Sequence, residues 1–450
     1  MRQHPIGRII EETPNHARWL GIGTLVIFGV MGAIFIIKYF PDNTICKTDF
    51  LAVYVMPNAI WHGDDISTKI DDLAKKYVGE LNRKYFDFPS HHPPTLGLVL
   101  LPLAWFEYYT AQRIWYLCEI VFLLLTIRNL FLVAGVRLQW PWLILYTLAF
   151  AMINPSMGDL NLGQTTCFMV YLLSAMWLAL KHNKDGLAGI LWGISLMLKQ
   201  LAWPLAFVLI VHKKYRTLLT ACVCLLAGYL ICGIIIGFPA IARYYFKTLP
   251  TLYEYHVNSP WNSALWAIGK RMTDGAYFES SNMPVFSLTP AFPNMKFLPV
   301  LPYIIPVTVL IFSLIQLIRH NDFDGSFALF SGLILLINPI TWDYFYLFAL
   351  IPLTRVVMTL YAKKFPYWET YLALFSFVTI AVNYAIWIEL SILIENGTWF
   401  LKDTSKILHF HFFNYLFVYV PTLGAFILSF LAARPVEIPQ RSVEKPPREE

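Results

Sequence analysis

Two charged residues stand where charge is expensive, and both are of types that do chemistry. Asp49 lies just past an apolar run that extends from Trp19 to Phe40. A carboxylate held there over a cavity can act as a general base, taking the proton from an attacking hydroxyl. Lys199 interrupts the otherwise apolar stretch LAGILWGISLMLKQLAWPLAFVLI. An intramembrane cation costs roughly 2.5–3.5 kcal/mol on insertion scales, so its retention points to work. An ammonium turned to a cavity suits a phosphate. The plain alternatives are a solvated loop aspartate and a lysine snorkelling to the headgroups.

Other polar groups could join these two. Asn154-Pro155 through Gly163-Gln164 reads as a polar elbow between two spans. Asn258, Asn262, Lys270 and Arg271 lie in NSPWNSALWAIGKRM, and Trp342-Asp343 closes NPITWD. His91-His92 precedes Pro93-Pro94, and equally fits an interfacial cap. Asn- and Trp-rich loops are common at helix ends; these gain weight because the topology puts them on one face with Asp49 and Lys199. Asp64-Asp65 and Asp71-Asp72 lack the spacing of a divalent site and fit a solvated helix face. No metal or other cofactor is expected, and neither a P-loop nor GxGxxG occurs. Glu119, inside a span, reads as a partner within the bundle.

The elements that must position these residues follow from composition. Apolar residues make up 57% of 450 and charged residues only 14%, with a mean hydropathy of +0.55. A soluble domain carries nearer a quarter charged residues, so a lipid bilayer is the expected solvent. The net charge of +6 sits mainly at helix ends and implies no nucleic acid. Of six cysteines only Cys46 is in a clear loop, so no disulfide framework is expected.

Positive-inside logic with Arg2, Arg8 and Arg18 ahead of the first span places both termini in the cytoplasm. Connections bearing Lys181, Lys184, Lys213, Lys214, Arg355 and Lys363 then fall inside. Three loops, 40–92, 238–297 and 391–412, fall outside. This requires Pro93–Trp105, short and proline-marked, to be re-entrant rather than crossing. Within the first loop, FLAVYVMPNAIWHG is spaced for a short helix lying in the interface. The expectation is an all-α polytopic bundle of about twelve crossings, one domain over residues 1–433, with a disordered cytoplasmic tail at 434–450. No internal repeat is visible, which weighs against an inverted-repeat transporter.

Taken in order, the motifs form a pattern. They are Asp49-Phe50, His92-Pro93-Pro94-Thr95-Leu96, Gly163-Gln164, the AGxxxGxxxxxK block from Ala188 to Lys199, Asn262-Ser263 to Arg271, and Pro339 to Asp343. From about residue 45 to 350 the chain resembles glycosyltransferase family 87. The resemblance implies the GT-C fold and transfer of mannose from a polyprenyl-phosphate donor to an envelope glycolipid or glycan. It makes Asp49 the base, and puts Lys199, Arg271 and His92 on the donor phosphate. Asn154, Gln164, Asn262, Trp342 and Asp343 would contact substrate. Two departures stand out: the histidine common after Trp-Asp is Tyr344 here, and Thr95 sits in a stretch usually more apolar.

The implied chemistry is coherent. Beyond the cytoplasm there is no nucleotide sugar, and the donor arrives in the bilayer. A phosphate leaves as a stable anion, so one base suffices, displacement inverts the anomeric centre, and no metal is required. A bacterial inner membrane is the expected location. The rival classes are a transporter or flippase and a lipid-linked glycan polymerase or ligase. Intramembrane charge is too sparse for the first, and the large first loop opening on Asp49 favours the transferase.

Overall fold

The computed structural model describes residues 15–42, 48–80, 86–280, 283–293, 300–382 and 408–434, together with 386, 387, 390, 393 and 394. Most of the loop 391–412 and nearly all of the tail 434–450 lie outside the described residues, as does Cys46. Helix accounts for 78%, which sets the class. In chain order the helices are α1 (Asn15–Lys38), α2 (Thr48–His62), α3 (Ile70–Tyr77), α4 (Pro94–Val99), α5 (Tyr108–Val133), α6 (Trp140–Ala151), α7 (Asn154–Leu162), α8 (Thr166–Lys181), α9 (Asp185–Leu198), α10 (Leu205–Val211) and α11 (Tyr215–Ile236). They continue with α12 (Phe238–Arg243), α13 (Leu249–Val257), α14 (Leu265–Asp274), α15 (Leu301–Arg319), α16 (Phe323–Ile337), α17 (Leu350–Ala362), α18 (Tyr367–Ala381), α19 (Phe412–Tyr415) and α20 (Val420–Ala432).

Several helices leave large apolar side chains bare. Leu20 and Ile37 of α1 are 73% and 76% exposed, and Ile234 of α11 is 78% exposed. A soluble surface does not tolerate such a belt, whereas lipid covers it. Among the described residues, five segments are long and apolar enough to cross a bilayer: Trp19–Lys38, Tyr108–Val133, Tyr215–Ile236, Asp343–Ala362 and Phe412–Ala432. A sixth arises if α6 and α7, bent by 82° at their junction, count as one broken span. Five more apolar helices run only 10–17 residues, α8 and α9 among them. The expected total of about twelve counted such short helices as crossings; length and composition support five or six.

Two expectations need correction. The fold is not purely helical: Ala276–Ser280 (β1), Met283–Thr289 (β2) and Leu408–His411 (β3) form one small sheet in the order β1-β2-β3. β1 and β2 are antiparallel; β2 and β3 run parallel, with Leu288 opposite Phe410. Alternate residues Phe286 and Leu288 turn inward and pack with Phe278, Phe410 and Tyr415 in a cluster separate from the main core. The second correction concerns α2. It forms, yet residues 50–60 are buried by protein throughout instead of lying in an interface. Leu51, Ala52, Val53, Tyr54, Val55 and Met56 are apolar all round the helix, and such a helix belongs inside a bundle.

Pro93–Trp105 forms the six-residue α4 and a five-residue 3-10 turn, far short of a crossing. Pro93 caps α4 and Pro94 starts it, where a missing N–H costs nothing. Helix α8 runs away from the elbow and α9 returns. Their far ends carry basic connections, tied down as Lys181–Asp324 at 2.9 Å and Lys214–Asp185 at 3.4 Å. Asp49 and Lys199 therefore sit at the end opposite those cations.

Candidate active site

The elbow between α7 and α8 explains itself residue by residue. Asn154 and Pro155 open α7, and Gly163 ends it in the left-handed conformation at φ +72°. A side chain at 163 would also stand 2.6 Å from Phe50 Cβ, so only glycine lets this turn press against the start of α2. The next residue, Gln164, is thereby set beside Asp49. Its Nε2 donates to Asp49 Oδ2 at 2.5 Å, while Lys199 Nζ donates to its Oε1 at 2.8 Å. The backbone of Gln164 is fixed as well, since Trp115 Nε1 donates to its carbonyl at 3.1 Å.

Lys199 owes its place to α9. Gly189 and Gly193 bring α9 against α11 so closely that an added Cβ would lie 2.5 Å from Thr217 O and 2.8 Å from Cys224 Cβ. The helix then breaks at Lys199, which is extended, and a 3-10 turn at Gln200–Ala202 leads towards α10. Trp192 Nε1 closes the break by donating to Ala202 O at 3.1 Å. Thr95, the polar departure in α4, has a use: its Oγ1 donates to Met197 O at 2.7 Å, two residues before the lysine. The ammonium lies 5.1 Å from the Phe345 ring and 5.8 Å from the Tyr344 ring, within cation–π range.

The result is a carboxylate and an ammonium joined through one amide. Gln164 is fully buried, whereas Asp49 and Lys199 are each partly exposed. Loss of water around it raises the Asp49 carboxyl above its ordinary 3.8, opposed by the Gln164 hydrogen bond and the Lys199 charge, with the nearby Asp159 adding to the rise. Such a carboxylate is a better base than a solvated one. Of the three ammonium donors, one is committed to Gln164, which leaves others for a ligand oxygen.

Asp343 joins from another element. Asn154 hydrogen-bonds its carboxylate, and Asp49 lies within electrostatic reach. Trp342, next to it, meets His256 edge-on at 5.5 Å between ring centres. Thus Asp49, Gln164, Lys199, Asn154 and Asp343 form one cluster, with Trp342 at its border.

Asn262 and Arg271 are placed differently. Asn262 Oδ1 accepts from the N–H groups of Thr341 and Ala264, each at 3.0 Å, and Nδ2 donates to Pro339 O at 3.3 Å. It pins the strand of chain that carries Trp342 and Asp343. Arg271, expected on a donor phosphate, is 0% exposed. Its guanidinium donates to Asn262 O at 3.0 Å, Ser259 O at 2.5 Å and the Tyr419 hydroxyl at 2.5 Å, and lies over the Tyr415 ring. Arg271 thus stands one layer behind the cluster and braces it. His92 is also fully buried, and neither of its ring nitrogens has a partner.

Sequence reasoning missed two residues here. Asp159 is fully buried and accepts from the N–H groups of Thr166 at 3.1 Å and Cys167 at 2.8 Å, capping α8. The signal was available: an aspartate placed to fold back over Gly163 onto the Thr165-Thr166 helix start. His256 had no such signal, since only the packing of α13 brings it to Trp342. The acidic pairs 64–65 and 71–72 serve the loop, with Asp64 held by Lys76 and Tyr77, and Asp65 held by Arg243 at 3.0 Å.

The chain thus combines a helical bundle whose outer apolar side chains suit lipid with an acid–amide–cation relay at one end. The sequence model of glycosyltransferase family 87 matches residues 91–339, over half of the chain, and the chain belongs to that family. The matched region holds His92, Gln164, Lys199, Asn262 and Arg271, begins after Asp49 and ends before Trp342. The chain is similar to the Alpha-(1->3)-arabinofuranosyltransferase of Corynebacterium glutamicum, 22% identical over 255 residues. That match covers 55% of this chain and 56% of the relative, so it spans about half of each. No solved structure matches.

Proposed function

We propose that this glycosyltransferase moves a hexose, mannose in the first instance, from a polyprenyl-phosphate donor to a lipid-linked or glycan acceptor on the non-cytoplasmic face of a bacterial inner membrane. The observation that carries the reading is the Asp49–Gln164–Lys199 relay. Asp49 takes the proton of the acceptor hydroxyl as its oxygen attacks the anomeric carbon. The bond from that carbon to the phosphate oxygen breaks, and the electron pair leaves with the polyprenyl phosphate. Lys199 stabilises the charge that collects there, with His92 beside it. Attack opposite the leaving group inverts the anomeric centre. Gln164 keeps acid and cation apart, so neither neutralises the other before substrate arrives. Asn154 orients Asp343, and Arg271 acts through Asn262 to hold the Trp342–Asp343 strand. The topology counts both termini as cytoplasmic, and the transfer proceeds without a divalent metal.

A second reading of the sugar has one observation behind it. The relative from Corynebacterium glutamicum is named for arabinofuranosyl transfer, which supports a pentofuranose donor on the same machinery. Purified protein incubated with polyprenyl-phosphate mannose, glucose and arabinofuranose, together with lipid-linked acceptors, tests both. Transfer from one of these donors, undiminished by chelator, is expected. Transfer from none of them, with no binding of polyprenyl phosphate, would overturn the proposal.

A further inference from the structure

A row of rings runs from His92 to Trp342. The His92 and His91 ring centres are 4.2 Å apart, His91 and His256 are 6.4 Å apart, and His256 meets Trp342 at 5.5 Å. Phe86 and Phe88 flank the row, at 6.3 Å from His91 and 5.6 Å from His256 respectively. Three separate pieces of chain are needed to build it: the approach to α4, the last turn of α13, and the strand pinned by Asn262. It is fastened by Tyr244, whose hydroxyl donates to His91 O at 3.0 Å.

The row has unused polar capacity. His91 Nδ1 and both ring nitrogens of His92 are buried without a hydrogen-bond partner. Leaving such an atom unpaired is costly, and a bound ligand would remove that cost. The charge state says which ligand. Burial first, then the Lys199 charge and the neighbouring ring, hold His91 well below the ordinary imidazole value; burial, His91 and Lys199 do the same for His92. Burial takes His256 down to about 4. At neutral pH all three are uncharged, and a neutral imidazole offers one donor and one acceptor. A phosphate offers only acceptors and is better served by Lys199. A hydroxyl offers both, and the C–H faces of a sugar pack against flat aromatic rings such as Trp342.

We infer that His91 and His256, with Trp342, form the subsite that recognises the hydroxyls of the donor sugar, while Lys199 holds its phosphate. The inference rests on the proposed polyprenyl-phosphate donor. It makes the imidazole row a determinant of which sugar is accepted, distinct from the groups that hold the lipid phosphate.

The test compares two ligands on full-length protein: a polyprenyl-phosphate mannose and the same polyprenyl phosphate without sugar. His256→Phe keeps a ring against Trp342 but removes both nitrogens. It should weaken the sugar-bearing ligand by about two- to twelve-fold, the range for one neutral hydrogen bond, and leave the bare phosphate unchanged. His256→Gln, which restores a donor and an acceptor, should recover part of the loss. His91→Phe provides the same comparison if His256→Phe unfolds, as thermal melts would show. Equal weakening of both ligands would overturn the inference, because the row would then serve the phosphate. No weakening of either would overturn it too. Wild-type protein that binds neither ligand would instead remove the donor assignment beneath it, and the inference with it.

Discussion

Lys199 and Arg271 are both cations set among apolar residues, and they are held in opposite ways. Lys199 is partly exposed and bonds to a side chain that itself touches Asp49. Arg271 is fully enclosed and bonds to two backbone carbonyls and a tyrosine hydroxyl. The first arrangement leaves part of the ammonium's donor capacity uncommitted. The second turns that capacity inward, onto the loop that carries Asn262. The comparison teaches that a buried charge by itself does not mark a reacting group. What it is bonded to, and whether any donor still points outward, decides.

The largest effect expected on the reacting side is at Asp49. Asp49→Asn keeps the size and most hydrogen bonding but cannot accept a proton. Transfer at saturating donor should fall by about 10²–10⁴-fold, with donor binding retained. Asp64→Asn in the same loop, where the carboxylate pairs with Lys76, should stay close to wild type. A rate for Asp49→Asn above about a tenth of wild type would move the base elsewhere, with Asp343 the next candidate.

Gly163→Ala probes how the relay is assembled. The left-handed turn and the 2.6 Å approach to Phe50 both resist a side chain. A non-glycine residue held there costs about 1–3 kcal/mol, so the melting temperature should drop and Gln164 should lose its position. Normal stability with normal turnover would mean that the turn does not set Gln164.

The smallest effect is a displaced pH profile. The Asp49 carboxyl is raised above its ordinary 3.8, and the base works only when deprotonated. Turnover should therefore fall as pH drops through that raised value. The Gln164 hydrogen bond lowers the carboxyl, so Gln164→Leu removes a lowering influence and should move the acid limb to higher pH. A limb that stayed put, or moved down, would sever Gln164 from Asp49.

Much of the reacting side was legible because charge inside an apolar run is conspicuous. Lys199 stood out for that reason, Asp49 by its place just past the first apolar run, and Gln164 as part of the polar elbow between two apolar stretches. The bracing side was not legible. Arg271 lies in α14, where sequence does not reveal that carbonyls of Ser259 and Asn262 absorb its donors. His256 reaches Trp342 only through tertiary packing. The sheet escaped notice because β2 pairs in parallel with β3 more than a hundred residues later, a contact that no local pattern announces. Helix α2 was placed at an interface because its spacing was weighed above its uniformly apolar surface. The count of about twelve crossings included short apolar helices, which resemble spans in sequence; length and composition among the described residues support five or six.

The most direct test of the division between the two regions is a crossed pair of measurements on Lys199→Ala and Arg271→Ala. Each variant is melted in detergent and titrated with polyprenyl-phosphate mannose. Lys199→Ala should melt near wild type and bind donor about 10–100-fold more weakly, the worth of a hydrogen bond to a charged group. Arg271→Ala should lose about 1–3 kcal/mol of stability for each acceptor left unpaired, while its folded fraction binds donor nearly as well. The reverse result, with Arg271→Ala stable but unable to bind donor and Lys199→Ala unstable but binding normally, would contradict the account.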